Sequence, residues 1–564
     1  MRSGDSQYPV VDLFAGPGGL GEGFSELYDK RNKPFFKVVA AIEKDESATQ
    51  TLILRHFFRS FGGEGVPDEY YSYLAGDIEK EELQEKYKSQ WTQAESSVQK
   101  KELGSAPQAL VLRHLFRSFG GEGVPDEYYS YLAGDIEKEE LQEKYKSQWT
   151  QAESSAQKEE RAEVKRTIRQ RLCKTGKWAL IGGPPCQAYS LVGRSRMKND
   201  PDFAEDERHT LYEEYLRIIA DHCPPVFVME NVKGLLSAKI NDDNVLDLII
   251  RDLSNPGKAL RKSPKKLKYR LYSFSQSGEI KGEINPKSFI VKAEEFGVPQ
   301  ARHRIFILGI RSDIDTEPLI LQKQKPPTVG EILNSMPKIR SGVSRQKDSG
   351  DLWKEIIASI ANKKWLPDAN ANELMVKNVM LSAIEQIRNS TLQRSSKLNT
   401  VPCAMKKWYY DDRLKAISLH EARSHMETDL HRYLFVSSHG EALNISPKLA
   451  DFPIELLPAH RNVKDGREGK MFADRFRVQI KSKVSTTITS HISKDGHYFI
   501  HHDPTQCRSL TVREAARLQT FPDNYHFEGT RTSQFHQVGN AVPPYLSMQI
   551  AEVVKEILDG MSED

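Results

Sequence analysis

The chain has 564 residues, enough for two or more domains, and its 38% hydrophobic and 28% charged content is that of a soluble globular protein. A net charge of +3 gives no global pull toward a polyanion, so a nucleic-acid partner has to be argued from local basic clusters. Five scattered cysteines, at 173, 186, 223, 403 and 507, with no CxxC, argue against a disulfide framework or a zinc site. No apolar run approaches the ~18 residues of a membrane span and the N-terminus lacks a signal-peptide core, so a cytoplasmic location is expected.

Pro9 to Phe14 (PVVDLF) reads as a buried strand that breaks into Ala15-Gly16-Pro17-Gly18-Gly19-Leu20-Gly21, and Glu22 to Tyr28 reads as a helix. Strand, glycine loop and helix form the front of a nucleotide-binding α/β unit, although the loop is neither GxGxxG nor a P-loop. A second strand, Phe36 to Ile42, ends at Glu43, an acid placed to take ribose hydroxyls or to start a helix.

Residues 48–100 then recur at 106–158; from Leu54 to Ser97 the two copies differ only at Phe57 against Leu115. Two near-identical copies are a tandem duplication, not a solenoid. Each holds Tyr-Leu-Ala-Gly-Asp-Ile, read as a third strand ending at Asp77 or Asp135. A single sheet position is available, so one copy is expected to dock and the other to be extruded, with the first favoured by its short connection. Residues 156–171 read as a charged, solvated helix.

Trp178 to Ile181 is a short apolar strand stopped by Gly182-Gly183-Pro184-Pro185, with Cys186 presented from the stiff loop that results. The loop Ala188 to Asn199 carries Arg194, Arg196 and Lys198 and faces either an anion or solvent. Pro225 to Val232 is a strand with Glu230 near its end. Residues 251–290 form a polar insertion in which Leu260 to Arg270 holds six basic residues and no acid. Phe289 to Val291 leads to Gln300-Ala301-Arg302-His303-Arg304, where a period of two puts Arg302 and Arg304 on one face, followed by a strand at Ile305 to Ile310.

From 311 to about 505 the βα rhythm is lost. Helical patches stand near 351–362 and 372–388, and basic residues interleave with aromatic ones at Lys406 to Tyr410 and Arg475 to Arg477. His501-His502 lack the companions a metal site needs. Thr511 with Glu514 reads as a capping box for the helix Thr511 to Leu518. Gln537 to Pro544 precedes an amphipathic helix, Leu546 to Leu558.

Six blocks stand in one order: DLFAGPGG at 12–19, GGPPCQ at 182–187, ENV at 230–232, QARHR at 300–304, LTVREAARLQTFPD at 510–523 and QVGNAVPP at 537–544. In these the chain resembles the bacterial DNA (cytosine-5) methyltransferases. It departs from them at Ala188-Tyr189, where Gly-Phe is usual, and in the duplication. The resemblance implies an α/β, Rossmann-like, S-adenosylmethionine-dependent methyltransferase domain with a mixed, mostly parallel sheet at 1–310. A smaller, irregular target-recognition domain at 311–530 and a C-terminal segment at 531–564 that returns to the catalytic domain complete it.

The implied reaction transfers a methyl group from S-adenosylmethionine to C5 of a flipped-out cytosine in a specific duplex sequence, through a covalent bond from Cys186 to C6, leaving S-adenosylhomocysteine. Cys186, Glu230, Arg302 and Arg304 are the implied catalytic residues. Phe14, Ala15, Gly16, Gly18, Glu43, Asp77 (or Asp135), Ile78, Pro185, Asn540 and Val542 would hold the cofactor, and Gln187, Ser190, Arg194 and Arg196 the DNA. No metal is called for. Double-stranded DNA is the partner, beside a restriction endonuclease or other defence system, for a monomer associated with the nucleoid. The alternatives are a catalytically impaired DNA-binding homologue and an RNA cytosine-5 methyltransferase of the same fold.

Overall fold

The computed structural model describes residues 7–562 apart from 63–64, 102, 104, 121–122, 174, 186–207, 241–242, 261–266, 281–284, 397, 399–402 and 459–473. Its centre is an eight-stranded sheet built from β1 (Tyr8–Leu13), β2 (Phe36–Glu43), β3 (Val98–Lys100), β4 (Ala179–Gly182), β5 (Val226–Val232), β6 (Tyr269–Tyr272), β7 (Ile290–Lys292) and β8 (His303–Arg311). The order is β3-β2-β1-β4-β5-β8-β6, with β7 also pairing β8. The first five strands are mutually parallel, and β8 runs antiparallel to β5, β6 and β7. The order reverses at β1, whose neighbours are β2 and β4, so the C-terminal ends of β1 and β4 open the crevice where such sheets place ligands.

Helix α1 (Gly19–Ser25) follows β1, and two helical units follow β2. The first unit is α2 (Glu46–Arg59), α3 (Asp68–Ala75), α4 (Lys80–Lys86) and α5 (Lys88–Ser97). The second is α6 (Gln108–Ser118), α7 (Asp126–Ala133), α8 (Lys138–Lys144) and α9 (Lys146–Leu172). The structure docks the first unit on the sheet. Arg55 donates from Nε to Glu22 Oε2 at 2.9 Å, from Nη2 to Glu22 Oε1 at 2.5 Å and from Nη1 to Asn524 at 3.0 Å. Tyr71 donates to Asp411 at 2.9 Å and Tyr70 to the Asn524 carbonyl at 2.9 Å.

In the second unit the same side chains meet other surroundings. Arg113 pairs with Glu159 at the surface, and Tyr129 and Leu132 are 51% and 56% exposed where Tyr71 and Leu74 are 2% and 5%. Most of the second unit closes on its own small core of Val111, Leu115, Tyr128, Leu141, Trp149, Ala152 and Ala156, while the far half of α9 sends Val164, Ile168 and Leu172 into the main core.

The few differences between the copies account for which one docks. Thr51 donates to Gln537 at 2.7 Å and accepts from the Glu528 N–H at 2.8 Å, whereas the second copy has Ala109 there. Val98 turns the chain into β3, while its counterpart Ala156 continues a helix, as β-branched and alanine preferences dictate.

One expectation is corrected. Tyr73 to Ile78 is not a strand: residues up to Ala75 are the end of α3, and Gly76 closes it in the left-handed region at φ 74°. The apolar residues Tyr70, Tyr71, Leu74 and Ala75 follow the period of a helix, not of a strand. The third strand is β3, twenty residues later and three residues long, with Val98 opposite Ala41.

The strand β5 is preceded by α10 (Arg208–His222). Beyond β8 lies a mostly helical region whose own core includes Trp353, Met380, Ile384, Tyr433 and Phe435, built on α11 (Ala371–Arg388) and α12 (Glu427–Leu443). The chain then returns through α13 (Val512–Leu518), α14 (Arg531–Asn540) and α15 (Pro544–Asp559). Thr511 and Glu514 form the expected capping box of α13. The arginines around it are structural: Arg508 grips Glu514 with two bonds of 2.7 Å, Arg517 grips Asp523 at 2.8 and 2.6 Å, and Arg513 donates to the carbonyls of Ser418, Pro522 and Tyr525. Buried charges persist where they are paired and bonded in this way.

Two measurements follow from these environments. Leu74→Ala is expected to cost about 2–4 kcal/mol and Leu132→Ala to stay within about 0.5 kcal/mol, although the surrounding sequence is the same; urea unfolding of the two variants compares them. Burial holds His420 and His502 at about 4, against an ordinary 6.5, and His420 is the neutral form, donating Nε2–H to Pro337 O at 2.8 Å. Each therefore adds stability in full above pH 6.5, lost as pH falls from 6.5 to about 4, by about 1.4 kcal/mol per pH unit for each group. Unfolding free energy measured from pH 7.5 to 4.5 should decline from near 6.5 downward.

Candidate active site

A cleft of about 440 Å³ opens where β1, β2, β4 and β5 end, and α14 covers one side. Phe14, at the end of β1, has φ 55°, a left-handed conformation that is strained for an aromatic residue and marks a shaped turn. Gly16 and Gly18 continue that turn at φ 55° and 90°. Glu43 fixes it from the next strand: its carboxylate accepts from Gly16 N–H at 2.8 Å and from Asp45 N–H at 2.9 Å. Beneath the loop Asp12 is fully buried, and burial pushes its carboxyl up to about 8.

On the other side Glu230 projects from the end of β5. The Arg304 guanidinium lies 3.1 Å from its carboxylate, from a position two strands' pairing fixes: Arg304 is opposite Val232 and Phe306 opposite Glu230. Burial raises the Glu230 carboxyl above the ordinary range, with Arg304 and then Arg302 opposing the shift. A Cβ on Gly183 would stand 3.1 Å from Glu230 Oε2, so glycine lets the carboxylate lie against the β4 loop. Asn231, buried behind it, donates to the Pro184 carbonyl at 3.0 Å and accepts from Val232 N–H at 2.8 Å, which ties the start of the proline loop to β5.

Of the residues expected at the site, Phe14, Gly16, Glu43, Pro185, Glu230 and Asn540 line one cleft. Arg304 borders it through Glu230. Cys186, Gln187, Ser190, Arg194 and Arg196 lie outside the described residues, directly after the cleft-lining Pro184-Pro185.

The other expected residues are placed as follows. Arg302 is buried at the one-residue break between Gln300–Ala301 and β8 and donates to the carbonyls of Ile488 at 2.7 Å and Gly539 at 3.2 Å, with its charge still felt at Glu230 and Arg304. Asp77 and Ile78 are absent from the cleft, with Asp77 exposed beyond the end of α3, and Asp135 is at the corresponding point of the outer unit. Ala15, Gly18 and Val542 pack behind the loop: Ala15 joins the core of the first unit, Gly18 faces Leu52 and Tyr525, and Val542 meets Gly19. Lys101 and Leu103, next to β3, line the cleft, as do Lys44, Asp45, Ala48, Leu211 and His536. Lys101 is anchored by Glu160 at 3.0 Å and Glu163 at 2.9 Å on α9.

The family C-5 cytosine-specific DNA methylase matches residues 112–556. The chain belongs to that family. It is 30% identical over 559 residues to the type II methyltransferase M.Bpa9945I of Bacillus paralicheniformis, covering 98% of this chain and 99% of that one. It is 27% identical to the type II methyltransferase M.DdeI of Desulfomicrobium norvegicum, over 68% and 74% of the two chains. It is 25% identical to the DNA (cytosine-5-)-methyltransferase M.ApeKI of Aeropyrum pernix, over 68% and 82%. The mixed, mostly parallel sheet flanked by helices is the Rossmann-like methyltransferase fold the six blocks imply. Among the described residues no helix is long and apolar enough to cross a membrane.

Asn231→Ala should leave the fold intact and release the proline loop from β5. Methyl transfer to DNA is expected to fall about 10- to 100-fold, the range of a lost positioning contact, and single-turnover assays against the parent chain measure it.

Proposed function

We propose that this methylase transfers the methyl group of S-adenosylmethionine to C5 of a cytosine turned out of duplex DNA, with Cys186 as nucleophile. The observation that carries this reading is the convergence, at the ends of β1, β4 and β5, of a strained glycine loop pinned by Glu43 and a carboxyl–guanidinium pair beside the loop that bears the cysteine.

The cleft suits the cofactor: it has the volume, and Phe14, Gly16, Glu43, Pro185 and Asn540 line it, with Lys101 and Leu103 at the far wall. When bound, S-adenosylmethionine supplies an electrophilic methyl group on a sulfonium. The protein's task is to make C5 of cytosine nucleophilic. The Cys186 thiolate adds to C6, which turns the ring into an enamine with electron density at C5. Glu230, whose burial favours the protonated form, donates to N3 and so stabilises the charge that the addition creates. Arg304 orients Glu230 and faces the base oxygen. After C5 takes the methyl, its proton leaves to water and the C6–sulfur bond breaks, which frees the thiolate.

A cytosine stacked in a duplex cannot enter such a cleft, which supports base flipping. Gln187, Ser190, Arg194 and Arg196 on the loop after Cys186 would hold the opened DNA, and the region 311–530, with its own helical core, would read the target sequence. That the relatives are named type II methyltransferases supports a modification role beside a restriction endonuclease.

Bisulfite sequencing of plasmid DNA from cells expressing the chain tests the reading. The parent should protect cytosine at one recurring sequence, and Cys186→Ser should protect none; equal protection by the serine variant would refute the nucleophile.

A further inference from the structure

Three left-handed residues, Phe14, Gly16 and Gly18, make the cofactor-side loop a conformation that needs support from outside itself. Glu43 supplies it from the cleft side. On the opposite side the support comes from more than five hundred residues away. Tyr525 follows α13 in a turn closed by its own N–H to Pro522 O at 3.0 Å. Its hydroxyl donates a short hydrogen bond to the Pro17 carbonyl and stands 3.0 Å from where a Cβ on Gly18 would be.

The tyrosine is itself immobilised. It is 1% exposed, packs between Phe521 and Phe527 with ring centroids at 4.8 and 5.3 Å, and has the Arg55 guanidinium 4.9 Å over its face. Arg513 holds its carbonyl at 2.7 Å. We propose that Tyr525 is a positioning residue for the S-adenosylmethionine site: its hydroxyl, held by the buried turn that follows α13, sets the Pro17–Gly18 turn that receives the cofactor. Tyr525 does not line the cleft and acts through the loop. The proposal rests on the cofactor reading given above.

Tyr70 provides the control. Its hydroxyl also donates to a carbonyl, Asn524 O at 2.9 Å, in the same buried neighbourhood, and it does not touch the loop. Tyr525→Phe and Tyr70→Phe therefore remove the same group from the same core. Both variants should lose some thermal stability. Only Tyr525→Phe should weaken S-adenosylhomocysteine, measured by titration calorimetry on the full chain, by about 10-fold, equivalent to about 1.4 kcal/mol. Its KM for S-adenosylmethionine should rise in parallel, with kcat at saturation and duplex affinity within about 2-fold of the parent.

Unchanged affinity in Tyr525→Phe, or an equal loss in Tyr70→Phe, would overturn the assignment. Failure of the parent chain to bind S-adenosylhomocysteine would overturn the cofactor reading and this inference with it, whereas parent binding with an unaffected Tyr525→Phe overturns the clamp alone.

Discussion

The constraint on which the architecture rests is the close passage of the last helix across the first. A Cβ on Gly19 would lie 2.2 Å from the Val542 carbonyl, and one on Gly23 would lie 2.4 Å from both the Pro544 carbonyl and the Ser547 Cβ. Neither site has room for a side chain, and both lie on α1, immediately after the loop that shapes the cleft. Ser547 completes the contact by donating to Leu20 O at 2.7 Å. The C-terminal segment thereby becomes a wall of a site whose floor is laid by the first strand, and Asn540 and His536 reach the cleft. The segment just before it is fixed by the same logic: the buried Arg302 spans the carbonyls of Ile488 and Gly539, and Gln300 holds Ile488 N–H at 2.8 Å. The two ends of the chain and its middle meet at one place, and the glycines permit it.

The duplicated units show how little of a helix's burial belongs to its own sequence. Arg55 and Arg113 sit in the same local sequence; one grips a buried carboxylate under an aromatic ring, the other a surface glutamate. The environment decides which of these is structural. Outside the long near-identical stretch, Thr51 against Ala109 and Val98 against Ala156 tip the choice, since a buried hydroxyl bridging two segments and a β-branched residue at the sheet edge exist in the first unit alone.

The strands were legible because their signal is simple. Apolar runs cut by glycine and proline at β1, β4 and β5, and acids at the ends of β2 and β5, mark the crevice and some of the residues that line it. The capping box at Thr511 was equally plain, being a local pattern with a local cause. What failed had non-local causes. The stretch at 73–78 reads as a strand, but the apolar spacing through Tyr70, Tyr71 and Leu74 and the left-handed Gly76 make it a helix end. The β3 strand is three residues long and carries no pattern of its own; only its pairing with β2 defines it. Arg302 and Arg304 look equivalent in sequence, yet Arg302 ties two backbone carbonyls of the C-terminal half while Arg304 pairs with Glu230. Lys101 and His536 gave no motif to find, because they reach the cleft through tertiary packing.

At the centre stands a chemical claim about one sulfur and one carboxyl. A duplex carrying 5-fluorocytosine at the target position, incubated with the chain and S-adenosylmethionine, blocks release after methyl transfer because fluorine cannot leave as the proton does. Mass spectrometry of the digested product should then find the methylated, fluorinated base attached to the peptide containing Cys186. An adduct on any other residue, or methylation of ordinary DNA by a chain that forms no adduct with the fluorinated one, would contradict the account.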